Sequence, residues 1–170
     1  MLTSVDEFLD YFAGVNRRAV RDIGSLPVEA ESWVPPRQET GERGWSIAVL
    51  VAHMAASRVF FAHAYRGEGW LAAPWPGATE TRQQWVAALD ESAHTMAELL
   101  RGTPDEWLRR RVEAMDSPGQ TLSGWRVLMM GTEHDVHHRS QIDTYAGMAG
   151  WPVQQIFGRT AEQAGLDPRA

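Results

Sequence analysis

Three histidines carry the chemistry that this sequence offers. His134 and His138 stand four apart in the run Glu133-His134-Asp135-Val136-His137-His138-Arg139. On a helix, residues four apart share one face, so both imidazoles can reach a single metal ion. His134 and His137, three apart, offer a second pairing, whereas His137 and His138 diverge by ~100° and do not share an ion. Val127, Met130, His134, His138, Gln141 and Tyr145 form the more apolar stripe, and Glu133, His137, Ser140 and Thr144 a polar one. His134 and His138 are therefore read as the inward pair. The third ligand is His53, set in an apolar stripe between Leu50 and Ser57, with the small Ala52 and Ala56 leaving room beside it. Taken singly, His53 reads as a hydrogen-bonded core histidine. Taken with the late pair, it completes a three-imidazole set. Such a set with one open position suits Zn²⁺, and also Ni²⁺ or Fe²⁺. The open position takes water, whose pKa then falls to about 7, or a thiol, which loses its proton.

Two rival motifs overlap the same run. His134-Asp135-Val136-His137-His138 imitates the H-E-x-x-H zinc motif, with the shorter Asp in place of the catalytic Glu. The His134-Asp135 doublet also imitates metal-dependent phosphohydrolases, but the further carboxylates they need have no evident positions. His137 is assigned to an outer or surface role, and His63 and His94 to the surface.

Composition narrows the chemistry further. The chain has 170 residues and no cysteine, and all 16 basic residues are arginine. This removes disulfides, cysteine-ligated metals, a cysteine nucleophile and Schiff-base lysine chemistry. Any thiolate must come from a small molecule. A net charge of −6 disfavours non-specific association with nucleic acid or anionic lipid. The length and ordinary composition predict one globular domain over residues 1–170. The acidic start, Met1 to Gly14, is unlike a signal peptide. The apolar run Ile47 to Ala56 falls short of the ~20 residues of a spanning helix. A cytoplasmic protein acting on a small molecule is expected.

The histidines need helices to position them. Ser4 with Glu7, and Thr81 with Gln84, are capping-box pairs. They predict a first helix over 4–23 and a third over 81–101, with Gly24 and Gly102 as stops. Ser46 predicts the start of a second helix, running to Arg66-Gly67, with Trp45 and Leu50 placed for a hydrophobic staple. A fourth helix is predicted over 122–149. A short helix follows Pro104, and an amphipathic segment over 153–164 closes the chain. Residues 25–45, 67–80 and 112–120 are loops, and no stretch alternates as a strand does. Trp70 and Trp75 are assigned to the core ahead of a pocket wall or a dimer interface, Arg139 to a pair with Glu133 or Asp135 ahead of an anionic substrate, and Arg109-Arg110-Arg111 to a solvated face. Gln141 and Tyr145 serve the pocket or the core. The expected fold is an all-α four-helix bundle with short extra helices.

The segments Trp45-Ser46-x4-Val51-x-His53-Met54 and His134-x3-His138-Arg139-Ser140-Gln141-Ile142 resemble the DinB-like superfamily of damage-inducible and YfiT-like metal-binding bundles. Ser140 stands where the family usually has Gly, a small-for-small change that touches no ligand. The resemblance covers about residues 5–150. It implies an up-up-down-down bundle, often a homodimer, with metal ligands at His53, His134 and His138. It further implies a metal-dependent transferase that activates a low-molecular-weight thiol of the bacillithiol or mycothiol type. A hydrolase using metal-bound water and a non-catalytic metal-binding stress-response module are the alternatives.

Overall fold

The structure is a computed structural model and describes residues 3–37, 41, 44–77, 79–115, 117–159 and 162–165. Parts of the expected loops and closing segment (38–40, 42, 43, 78, 116, 160 and 161) lie outside the described residues. Four long helices dominate: α1 Val5–Gly24, α2 Ile47–Arg66, α3 Arg82–Leu100 and α4 Gly124–Met148. The expected all-α bundle is therefore present. Ser46 caps α2 by accepting from the Val49 N–H at 3.3 Å, and Gly67 closes it at φ +78°. Thr81 and Gln84 form a complete capping box on α3. The box on α1 is half made: Ser4 Oγ accepts from Glu7 N, while the Glu7 carboxylate accepts from Thr3 N at 2.6 Å.

Three sequence expectations are corrected. A two-stranded antiparallel hairpin, β1 Arg111–Glu113 and β2 Thr121–Ser123, occupies the expected loop. Three residues per strand are too few to show alternation. Pairing of Thr121 to Ser123 with β1 also delays the start of α4 from 122 to Gly124. The closing amphipathic segment is irregular from 151 to 155, with only a short 3-10 turn at Glu162–Ala164.

The helix directions also differ from those the family resemblance implies. Arg58 reaches the Leu89 carbonyl and Arg66 that of Leu99, so α2 and α3 run parallel. His53 lies beside His138, and Phe61 against Gly131, so α2 and α4 run antiparallel. Asn16 pairs with Asp90 while Gly24 abuts Val86, so α1 and α3 are antiparallel. The order is up-down-down-up. Helices α1 and α2 each pack on α3 and α4 and sit diagonally. The long 25–46 connection makes that diagonal crossing possible.

Two apolar clusters fill the ends of the bundle, one around Phe8, Tyr65, Met96 and Leu128, the other around Ile47, Leu50, Trp85 and Ile142. Between them, Arg58 binds all three other helices. Its Nε and Nη2 donate to the two Asp135 carboxylate oxygens at 2.8 and 3.2 Å, and Nη1 donates to Asn16 Oδ1 at 2.9 Å and Ser92 Oγ at 3.2 Å. Helix α2 is the one described helix long and apolar enough to cross a membrane, and its apolar window is 67% buried inside the bundle.

Gly124 is fixed by contact. A Cβ there would stand 2.1 Å from the Trp107 carbonyl oxygen, which is backbone and cannot swing aside. Gly124→Ala must push the start of α4 off the 3-10 turn Asp105–Leu108. We expect a loss of about 1–3 kcal/mol in chemical denaturation, with unchanged helicity.

Candidate metal centre

Helix α2 presents His53 two turns after its Ser46 cap, and the antiparallel α4 presents His134 and His138 from consecutive turns. The three rings meet through the same nitrogen. His53 Nε2 lies 2.9 Å from His134 Nε2, which lies 3.1 Å from His138 Nε2. All three ligand nitrogens fall within 4.8 Å of one another.

This donor set fits a divalent ion. Metal–nitrogen bonds of ~2.0–2.1 Å at angles of 90–109° put two ligand nitrogens ~2.9–3.4 Å apart. Hydrogen bonding alone fits less well. One imidazole nitrogen carries either a proton or a lone pair, so His134 Nε2 cannot donate to one neighbour and accept from the other. A cation held among three lone pairs satisfies all of them.

Protonation agrees. Burial, then the His138 and His53 charges, pushes His134 down to about 4. Burial followed by His138 lowers His53. Burial lowers His138, opposed by its Gln141 hydrogen bond. The rings are neutral at pH 7, the state a metal requires.

The surroundings orient the rings. His138 Nδ1 donates to Gln141 Oε1 at 2.6 Å, which turns the Nε2 lone pair to the centre. Trp45 meets His53 edge-on at 5.0 Å and stacks on His138 at 6.3 Å. Phe61 packs on His134 at 5.8 Å. Gln141→Leu removes the acceptor that sets the His138 tautomer. We expect metal affinity to fall by ~10–100-fold with helicity intact, read by competition with a chromogenic chelator.

The other histidines stay outside. His137 is exposed, touching His138 only by ring contact at 4.9 Å. His63 pairs with Glu68 at 2.6 Å, and His94 is exposed.

Several sequence assignments are corrected. Trp45 is 49% exposed and its ring lies against His53 and His138. Trp75 is 55% exposed and borders a pocket beside His53, the alternative to the core, while Trp70 packs on Phe60 and Phe61 as expected. Arg139 pairs with neither Glu133, which Arg126 takes at 2.7 Å, nor Asp135. It is buried 3.8 Å from Asp22 of α1. Asp135 is sealed against Arg58, so it is not placed as a zincin-type base. Arg110 is no solvated charge: it lies 3.9 Å over the Trp107 ring and donates to the Tyr65 carbonyl at the end of α2. Tyr145 packs on Trp33, leaving Gln141 as the centre's partner.

Fold and centre together define a class: a helical bundle with three convergent histidines on its two antiparallel central helices. Within that class, the chain belongs to the DinB family, whose model matches residues 1–167. A DinB-like protein from Bacillus cereus ATCC 10987 shares 17% identity over 91% of this chain and 99% of its own, with a TM-score of 0.70. A DinB-like protein from Bacillus subtilis shares 19% over 88% of this chain and 96% of its own, with a TM-score of 0.64. At these identities the likeness establishes the fold. Comparison with curated proteins finds no match.

Proposed function

We propose that this chain is a cytoplasmic, metal-dependent transferase that activates a low-molecular-weight thiol, with His53, His134 and His138 as the ligands. The observation that carries the metal-binding part is the convergence of three neutral Nε2 atoms. A divalent ion held there, Zn²⁺ by donor type, would supply Lewis acidity and stabilise a thiolate near pH 7. The chain's own residues supply the rest. Gln141 fixes the His138 tautomer, and Trp45 and Phe61 shield the rings on either side. The chain has no cysteine, so the sulfur comes from a small molecule. The balanced reaction is R–SH + R′–X → R–S–R′ + HX. Asp135 is bound to Arg58 and does not serve as a base, so a hydrolytic reading would rest on metal-bound water alone. We further propose a homodimer that engages neither nucleic acid nor membrane.

The test uses untagged, metal-loaded protein with 1-chloro-2,4-dinitrobenzene and bacillithiol, mycothiol or no thiol. Metal- and thiol-dependent product supports the transferase. Consumption of an ester without thiol would favour the hydrolase. Bound metal with neither activity would favour the non-catalytic module.

A further inference from the structure

A cavity of about 340 Å³ opens beside the histidines, bordered by His53 and His134. Phe60, Phe61, Trp75 and Met115 supply much of its wall, and no carboxylate or guanidinium lines it among the described residues. Trp75 lies 6.2 Å from His53. Trp75 and Met115 are both more than half exposed, so core packing does not account for their place at its mouth. Apolar groups held at the rim of a concavity mark a binding surface. The volume suffices for a ring, since ~150 Å³ already admits benzene. Offset and edge contacts from Phe and Trp side chains favour a flat aromatic partner.

We infer that this cavity binds a neutral aromatic group on the substrate, holding it beside the three-histidine centre. The inference rests on the metal-centre reading above and adds the substrate class: a compound carrying an uncharged aryl group, which the apolar wall holds while its reacting end meets the centre. Away from the histidines the wall offers an anionic substituent on the ring no compensating charge, and burying one unpaired is costly.

The probe is 4-phenylimidazole against imidazole, titrated into the cobalt(II)-loaded protein and read by its visible absorption bands. Both probes offer the same donor nitrogen and differ by one phenyl ring. The phenyl derivative should bind about tenfold or more tightly, the gain from burying one ring. Trp75→Ala and Met115→Ala, which each remove part of the exposed wall, should together erase most of that preference while leaving the bound cobalt unchanged. Equal affinities in a protein that binds cobalt would overturn the aryl site and leave the metal centre standing. A preference that persists in the Trp75→Ala/Met115→Ala double variant would overturn it too. Failure to bind cobalt would remove both readings.

Discussion

His134→Ala should abolish stoichiometric metal binding while leaving the helices intact. His134 is the middle member of the cluster, its Nε2 within 3.1 Å of both neighbours. Without it, His53 and His138 face each other across a gap, and two imidazoles do not hold a labile ion against dilute chelator. The loss should exceed the ~10–100-fold expected for an outer partner such as Gln141. Elemental analysis of untagged protein gives the first readout: about one ion per chain in the parent, and none in the variant. Thermal unfolding gives the second. An ion at 100 times its dissociation constant stabilises a fold by ~2.7 kcal/mol. Added zinc should therefore raise the parent's melting temperature and leave the variant's in place. A variant that kept its metal would show that the three rings are not the ligands.

Asp135→Ala should cost about 3–5 kcal/mol of stability, because it leaves the Arg58 guanidinium uncompensated in the interior. The side chains of the pair are 1% and 2% exposed, so water cannot repair the loss. Arg58 also ties α1 and α3 through Asn16 and Ser92, and the damage should spread to the whole bundle. The double variant Arg58→Met/Asp135→Leu should recover much of the loss, since apolar replacement of a buried pair is often neutral. Urea denaturation of the two variants beside the parent checks both statements. A single-variant loss under ~1 kcal/mol, the scale of an exposed pair, would show that Arg58 finds another partner.

The parts legible in the sequence were those with local signals. Ser46, the Thr81–Gln84 pair and Gly67 mark helix ends through contacts within a few residues. The four-residue spacing of His134 and His138 sets their shared face without reference to any other element. His53 stands out because it interrupts an apolar stripe. The same reasoning could have found Arg58, a lone cation among Ala55, Ala56, Val59 and Phe60, and its partner Asp135 on the face of α4 opposite the solvent. The pairing itself depends on helix direction, which no local signal encodes. For the same reason no local signal marks the destination of Arg139: its neighbour Asp22 lies on α1, more than a hundred residues earlier. The hairpin escaped because three-residue strands leave no period to read.

The distance along the chain between the two halves of the centre has a consequence for how the protein is made. His53 and His134 are 81 residues apart, and α4 is the last long helix to leave the ribosome. An ion meeting the nascent or unfolded chain finds at most the His134–His138 pair. Closing a loop of that length costs entropy, which only the packed helices recover. Metal loading should thus trail bundle assembly, making acquisition of the ion a natural clock for the final step of folding.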